Sequence, residues 1–282
     1  MKNEIKNLKF SVLMSVYINE NPIYFEVALK SIIDQTRKPD EILIVKDGKL
    51  TDDLEEIIKK YKNKYSIIST LELENNVGLG KALSIGIKKC KYTLVARMDT
   101  DDIAKPNRFE KQIEIFFKNP EIDIVGSWVE EFEEIDKKIY VKSIKKLPEK
   151  NSEIIRLLKK RNPMNHPSVM FKKDVVIRNG NYSEKYNRLE DYYLWFNLAI
   201  KKCEFYNIQE VLLSFRVNEA TFKKRNGKKM LVNTLKMYYE FYQKGFINLF
   251  ELIRNYIIWT LYRMLPVIIV KNIKNRYTRC KV

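Results

Sequence analysis

The chain has few of the residues that most often bind transition metals. It contains one histidine, His166, and three cysteines, Cys90, Cys203 and Cys280, which lie far apart and form no C-x-x-C pair. These counts argue against a disulfide framework and against a zinc site with thiolate ligands. A metal site must therefore be built from carboxylates, which favour hard cations such as Mg²⁺ or Mn²⁺.

The sequence also lacks internal repeats, low-complexity linkers and a signal-peptide-like apolar region at its start. The apolar stretch 256–270 is interrupted by Arg263 and Pro266 and is shorter than the roughly 20 residues that span a bilayer. We therefore expect a cytoplasmic catalytic part, with the stretch 256–270 lying at an interface rather than crossing a membrane.

Positive charge is in excess and is unevenly distributed. The formal net charge is +17, of which residues 220–282 contribute +12, from 14 Lys or Arg against Glu240 and Glu251. Nucleic acid, an anionic membrane surface and phosphate-bearing substrates are all partners that such a field attracts. Composition alone does not choose among them.

Strand-like and helix-like segments alternate through most of the chain. Predicted strands cover residues 10–17, 41–45, 66–73, 92–98, 122–131, 138–144 and 168–171. Predicted helices cover residues 24–35, 54–65, 80–89, 108–117, 152–160 and 190–201. This order predicts an α/β fold with βαβ units, in which ligands bind beyond the carboxyl ends of the strands. Asp47 and Asp99 follow two of these strands.

Three carboxylates, Asp99, Asp101 and Asp102, fall within four residues after a predicted strand. At least two of them are expected to converge on one hard cation, which then bridges a diphosphate. The alternative is an acidic turn that leads into the helix starting at Arg108. The spacing alone is too common to decide between the two.

The residues around this cluster resemble glycosyltransferase family 2. The resemblance rests on the order and spacing of 74–86 (ENNVGLGKALSIG) and 96–102 (ARMDTDD), with Ser15-Val16-Tyr17, Asp47-Gly48 and Glu190-Asp191-Tyr192 as further matches. It covers roughly residues 8–217. It implies a GT-A fold, a mixed sheet flanked by helices, with Mn²⁺ or Mg²⁺ as cofactor.

The resemblance also implies roles for individual residues. Asp101 is expected to ligate the metal, Asp99 to contact the ribose or the metal, and Asp47 to contact the donor base. Asp191 is expected to be the general base of an inverting reaction, since the attacking hydroxyl must lose its proton. The sequence departs from the family at Lys46, where a second Asp is common, so the base contact depends on Asp47 alone.

Further residues are expected around these. The donor-side candidates are Ser15, Tyr17, Asn76, Gly78 and Lys81, and the acceptor-side or supporting candidates are Glu190, His166 and Asp102. Several candidates have a structural alternative: a turn residue for Asp47, a helix cap for Glu190 and Asp191, a solvated lysine for Lys81, and a hydrogen-bonded core residue for His166. Arg97 and Arg108 flank the cluster, and we expect them to organise the loop by ion pairing.

We predict two units, a catalytic domain over residues 1–222 and a helical, basic extension over residues 223–282. The extension interleaves aromatic and basic residues, listed here: Arg254, Tyr256, Trp259, Tyr262, Arg263, Lys271, Lys274, Arg276, Tyr277 and Arg279. This composition is typical of a helix at an anionic bilayer surface. The alternative is a helix packed on the catalytic domain with a solvated basic face.

The leading hypothesis is an inverting transferase that moves a hexose-type sugar from a nucleotide-diphosphate donor, with UDP as the favoured nucleotide. The acceptor is a hydroxyl of a lipid-linked saccharide or polysaccharide in bacterial capsule, exopolysaccharide or lipopolysaccharide synthesis, at the inner face of the plasma membrane. One alternative is a sugar-phosphate nucleotidyltransferase, although the first strand lacks the glycine-rich loop expected there. Another is a basic nucleic-acid-binding or membrane-binding protein; we expect no nucleic acid, because most of the excess charge is in the tail.

Overall fold

Parallel strands alternate with helices through the first hundred residues. The elements are β1 (Phe10–Val16), α1 (Pro22–Ile33), β2 (Glu41–Asp47), α2 (Asp52–Lys64), β3 (Ile68–Leu73), α3 (Leu79–Lys89) and β4 (Leu94–Arg97). The computed structural model describes residues 8–136, 138–217 and 228–264. β1 pairs in parallel with β2 and β4, and β2 with β3. The strand β1 is mostly apolar, with two serines among its seven residues, and almost entirely buried, as expected of a strand covered on both faces.

The second part of the sheet is mixed. Its elements are β5 (Ile103–Ala104), α4 (Arg108–Lys118), β6 (Ile124–Ile135), β7 (Lys138–Lys145), α5 (Asn151–Leu158), a 3₁₀ turn (His166–Ser168), β8 (Met170–Lys172), α6 (Lys173–Arg178), α7 (Glu190–Ile200) and β9 (Phe205–Arg216). Within the described residues the strand order is β3-β2-β1-β4-β8-β6-β9-β5, with β7 on β6. β8 runs antiparallel to both β4 and β6. The expected α/β fold with a mixed sheet and flanking helices is confirmed.

Several segments differ from the sequence-based expectation, including the short strand Ile103–Ala104 and the helix Lys173–Arg178, which were not predicted. The strand expected over 168–171 is preceded by the 3₁₀ turn and covers Met170–Lys172. The strand β9 was not predicted, because Asn207, Gln209 and Glu210 interrupt its apolar pattern. Register shifts in its pairing with β6, at Ser127 to Val129, allow the strand to continue past these polar residues.

The hydrophobic core covers both faces of the sheet. In β1, Leu13 belongs to the cluster on one face, with α3 and α7, while Val12 and Met14 belong to the cluster on the other, with α1 and α4. Helix α3 approaches the sheet closely at Gly86, where an added Cβ would lie 2.7 Å from side-chain atoms of both Leu13 and Val45. A larger residue there would push the helix away from the strands.

Two C-terminal helices, α8 (Lys228–Gln243) and α9 (Leu249–Met264), share this core. Phe241 of α8 stacks on Phe196 of α7 with ring centroids 3.8 Å apart. Fully burying a Phe side chain contributes about 1.5–3 kcal/mol. The boundary expected near residue 222, and the basic residues from Lys271 to Arg279, lie outside the described residues. In the part that the structure describes, no helix has the length and hydropathy needed to cross a membrane.

A buried carboxylate fixes α8 against α7 and the segment before it. Glu240 accepts hydrogen bonds from Lys185 Nζ (2.6 Å), Tyr186 Oη (2.8 Å) and Tyr193 Oη (2.7 Å). Burial opposes its ionisation, but these hydrogen bonds outweigh that effect and lower the pKa of Glu240 from 4.5 to about 2. The carboxylate therefore stabilises the folded chain only where it is ionised.

We expect Glu240→Gln to lower the unfolding temperature at neutral pH by roughly 5 °C, because hydrogen bonds to charged groups contribute about 1.5–3 kcal/mol each. The folded-state pKa is depressed, so the difference from wild type should be full above pH 4.5 and shrink as the pH falls towards about 2. Thermal denaturation at several pH values measures this. Glu114→Gln, which removes an exposed ion pair with Lys118, is the control and should change little. A difference in unfolding temperature between wild type and Glu240→Gln that does not change with pH would contradict the stabilising role of the ionised carboxylate.

Candidate active site

Three carboxylates converge where β4 ends. Asp99, Asp101 and Asp102 each place an oxygen within 4.8 Å of the others. Asp102 is fully buried, and Asp99 and Asp101 are half-buried. The structure thus brings together the residues that the sequence singled out as a metal site.

The acidic loop is held by the end of the distant strand β9. Asp102 Oδ1 accepts a hydrogen bond from the backbone N–H of Arg216 (2.9 Å), and Arg216 Nε donates to the backbone carbonyl of Asp101 (2.9 Å). The Arg216 guanidinium also stacks 3.7 Å from the ring centroid of Tyr24 and pairs with Glu134 at 2.5 Å. Sequence analysis missed Arg216, because its strand was not recognised and its partners lie about 115 residues away.

The two arginines that flank the cluster act differently. Arg97, which is 2% exposed, pairs with the Asp99 carboxylate, as expected. Arg108 instead donates to the backbone carbonyls of Arg97 (2.7 Å) and Val169 (3.3 Å). Within the described residues Arg108 forms no ion pair with a carboxylate, so the expected ion pairing of Arg108 is wrong, and its side chain instead supports the backbone behind the loop.

Crowding of negative charge disturbs the acidity of the cluster. Burial and the neighbouring Asp99 raise the pKa of Asp101 to about 6, and burial and Asp101 raise the pKa of Asp102 well above its usual range. The buried Oδ2 of Asp102 has no hydrogen-bond partner among the described residues. A hard divalent cation fits this donor set, since it would neutralise the repulsion and bind oxygen ligands.

A second pair of carboxylates opens helix α7. Asp191 Oδ2 accepts from Asn162 Nδ2 (2.6 Å) and Oδ1 from the backbone N–H of Tyr192 (2.8 Å), so its carboxylate is oriented on both oxygens. Burial and the adjacent Asp191 raise the pKa of Glu190 to about 7. Asn162 is a site residue that sequence analysis did not identify; its only signal was its place at the start of the loop that contains His166.

One cavity of about 600 Å³ connects the two acidic groups. Its lining includes Asp99, Asp101, Glu190 and Asp191. The remaining walls come from β6, β9, the loop before α7 and the C-terminal helices, through residues that include Glu131, Arg188, Arg216, Thr234 and Trp259. Because the two groups face a common space, substrates bound at each can meet there.

His166 lies in the wall of this cavity. Its Nε2 is hydrogen-bonded to Tyr182 Oη at 2.8 Å, and its side chain is 8% exposed. Burial, and secondarily the positive charge of Arg97, lower the pKa of His166 well below its usual range. The imidazole is therefore neutral at pH 7 and suits a positioning role better than proton transfer.

The donor-side candidates lie at the carboxyl ends of β1 and β2 and at the start of α3. Asp47 accepts hydrogen bonds from the backbone N–H groups of Val77 (2.7 Å) and Gly78 (3.1 Å), and thereby shapes the loop before α3. Gly48 has φ +83°, and an added Cβ would lie 2.7 Å from Asn76 N. Lys81 pairs with Glu184 at 2.5 Å.

Of the residues predicted to bind the donor, Asp99 lines the cavity. The others do not; they are Ser15, Tyr17, Asp47, Asn76, Gly78 and Lys81. Their position places them beside the acidic cluster, at the edge of the parallel strands where ligands bind. Their contact with a donor stays a prediction.

The family model and the similar proteins of known sequence agree on one family. Residues 11–179 match the family described as Glycosyl transferase family 2. The chain is 42% identical over 260 residues to an Escherichia coli UDP-Gal:alpha-D-GlcNAc-diphosphoundecaprenol beta-1,3-galactosyltransferase, covering 92% of each chain. It is 37% identical over 263 residues to the Erwinia amylovora amylovoran biosynthesis glycosyltransferase AmsE, covering 92% of this chain and 95% of the relative.

Solved structures share the fold at lower identity. S. aureus TarS 1-349 in complex with UDP superposes with a TM-score of 0.58 at 20% identity, covering 93% of this chain and 83% of that one. The mannosyltransferase PcManGT from Pyrobaculum calidifontis, in complex with GDP-Man and Mn²⁺, gives a TM-score of 0.63 at 13% identity, covering 93% and 72%. These likenesses confirm the GT-A fold.

We expect Asp101→Asn to weaken Mn²⁺ binding by at least about tenfold, since changes even to residues that only support a metal ligand cost about 10–100-fold. Without metal, the same substitution should raise the unfolding temperature at pH 8, because it relieves repulsion within the cluster. Calorimetric titration with Mn²⁺ and thermal denaturation in a chelator measure the two effects. The exposed Glu121→Gln is the control. Unchanged Mn²⁺ affinity in Asp101→Asn would refute the metal site.

We expect Glu190→Gln to stabilise the metal-free protein at pH 8 by about 1–3 kcal/mol, since one pKa unit corresponds to about 1.4 kcal/mol. The folded-state pKa of Glu190 is raised from 4.5 to about 7, so ionisation costs the folded state more than the unfolded one. The advantage of the variant should therefore grow from pH 4.5 to pH 7 and be small below pH 4.5. Chemical denaturation at pH 4.5 and pH 8 tests this, and an equal difference at both would contradict it.

Proposed function

Because the chain belongs to glycosyl transferase family 2, we propose that it is an inverting hexosyltransferase of bacterial surface-glycan synthesis. The donor is a UDP-sugar, and the acceptor is a hydroxyl of a lipid-linked saccharide. The E. coli relative, which by name transfers galactose from UDP-Gal to a GlcNAc-diphosphoundecaprenol, supports both assignments. The observation that carries the proposal is the single cavity between the carboxylate cluster and the carboxylate pair.

The donor side is formed by the acidic cluster. Asp101 and Asp99 would hold Mn²⁺ or Mg²⁺, which when bound neutralises charge that develops on a departing diphosphate. Asp102, whose carboxylate accepts the backbone N–H of Arg216, keeps the loop in place rather than contacting the donor. Asp47, at the end of β2, would contact the donor base, and its carboxylate also accepts the backbone N–H groups of Val77 and Gly78.

The acceptor side is formed by the start of α7. Asp191 takes the proton of the attacking hydroxyl on a carboxylate oxygen, in the position fixed by Asn162 and the Tyr192 backbone. Such a base contributes typically about 10²–10⁴-fold to the rate. Direct attack on the face opposite the leaving group inverts the anomeric centre. Glu190 and His166 line the same wall and orient the acceptor.

The proposal also includes peripheral attachment to the inner face of the plasma membrane. A lipid-linked acceptor is confined to a bilayer, so the enzyme must work at its surface. The basic residues of 220–282 supply attraction for anionic lipids. The two alternative functions, nucleotidyl transfer and nucleic-acid binding, gain no support from the family match.

The test is a transfer assay with a panel of UDP-hexoses, Mn²⁺ and a prenyl-diphosphate-linked GlcNAc acceptor. Mass spectrometry should detect an acceptor extended by one hexose, and NMR should show inversion at the transferred anomeric carbon. Asp191→Asn should lower kcat by about 10²–10⁴-fold while the affinity for UDP stays unchanged. Loss of UDP affinity in the variant would contradict the role of base, and a product with retained configuration would contradict inversion.

A further inference from the structure

Helix α9 exposes a wholly apolar side. Among residues 249–262, whose side chains are described, every exposed residue is a large hydrophobic one. These residues are 51–74% exposed and comprise Leu249, Phe250, Ile253, Ile257, Ile258 and Leu261. A surface helix normally turns its charged side to water, so α9 has the reverse polarity. We call this set the outer face of α9.

Three side chains of α9, those of Arg254, Asn255 and Trp259, direct polar groups towards the protein. Arg254 Nη2 donates to Asn255 Oδ1 (2.9 Å), and Asn255 Nδ2 donates to the backbone carbonyl of Lys159 (2.8 Å). Trp259 Nε1 donates to Tyr238 Oη (2.9 Å). The sequence suggested that Tyr256, Trp259 and Tyr262 face a bilayer. The exposed residues are instead five aliphatic residues and Phe250, while Trp259 is anchored inward.

The same helix forms part of the cavity wall. Trp259 and Tyr262 line the cavity together with Asp191 and Asp101. The inner side of α9 therefore borders the site at which the acceptor is proposed to react, while its outer face is uncovered. A partner that binds the outer face of α9 therefore lies close to the cavity, on the opposite side of the same helix.

Charge favours a bilayer as the occupant of the outer face. The sequence that follows α9, residues 265–282, has five Lys or Arg and no Asp or Glu. An apolar helix face followed by a basic segment matches the boundary between the acyl chains and anionic headgroups of a membrane. A second copy of the chain would bring two such basic segments together, which repel each other.

We propose that the outer face of α9 inserts at the headgroup boundary of an anionic bilayer and thereby holds the cavity at the membrane surface, where a lipid-linked acceptor enters. The part of this inference that concerns the acceptor rests on the function proposed above. The part that concerns membrane contact rests on α9 alone.

The test uses the full chain and vesicles of phosphatidylethanolamine and phosphatidylglycerol. The double variant Ile253→Gln/Ile257→Gln should bind these vesicles at least tenfold more weakly than wild type in co-sedimentation. The control, Ile23→Gln/Ile139→Gln, changes two aliphatic residues elsewhere that are at least as exposed, 70% and 56%, and should bind as wild type does. High salt should weaken vesicle binding by all three proteins, because it screens the charge of the basic segment. The difference in vesicle binding between the two double variants should remain.

Activity separates the two parts. The α9 variant should lose about tenfold in kcat/KM with a vesicle-embedded acceptor and keep wild-type kcat/KM with a short-chain, water-soluble one. Equal vesicle binding by the two double variants would overturn the inference. So would sedimentation equilibrium that shows a dimer for wild type and a monomer for the α9 variant, because the outer face would then be a dimer interface. If vesicle binding behaves as expected but no acceptor is glycosylated, the proposed function fails and the membrane contact of α9 stands.

Discussion

The repulsion among three carboxylates at the end of β4 is the constraint on which the rest of the site depends. Asp99, Asp101 and Asp102 lie within a space that one ion fills, and burial raises the free energy of their charged forms. The chain offsets this with nearby positive charge. Arg97 pairs with Asp99, and the backbone and side chain of Arg216 hold the loop from the other side.

The direction of the strands brings Arg216 to the acidic loop. β8 runs antiparallel to both β4 and β6, so β6 and its parallel partner β9 run in the same direction as β1 to β4. The carboxyl end of β9, which carries Arg216, therefore lies at the same edge of the sheet as the end of β4, beside Asp101 and Asp102. Burying Arg97 beside this loop costs free energy, because its Nε and Nη1 are buried without a hydrogen-bond partner among the described residues. Such local costs are typical of functional sites.

Sequence reasoning recovers the half of the site that local patterns determine. The βαβ alternation from β1 to β4 follows from periodicity, and it places Asp47 at the end of β2 and Asp99 after the end of β4, at the same edge of the sheet and on either side of β1. Contacts between distant residues leave no local pattern. Asn162 reaches Asp191 across 29 positions, and Arg216 reaches Asp101 across 115 positions. The strand that carries Arg216 was not predicted, because polar residues interrupt its apolar pattern. It is stabilised by its pairing with β6 and not by an alternating pattern of its own.

The C-terminal helices link the catalytic side chains to the surface that α9 exposes. Helix α7, which begins with Glu190 and Asp191, packs on α8 through Phe196 and Phe241 and through the hydrogen bond of Tyr193 to Glu240. α8 is in turn tied to α9, since Tyr238 accepts the hydrogen bond of Trp259. A tightly packed core transmits displacement instead of absorbing it. The position of the proposed base is therefore set partly by helices that contribute no carboxylate to the cavity, so a catalytic unit cut before α8 would lose both the wall of the acceptor side and the support of α7.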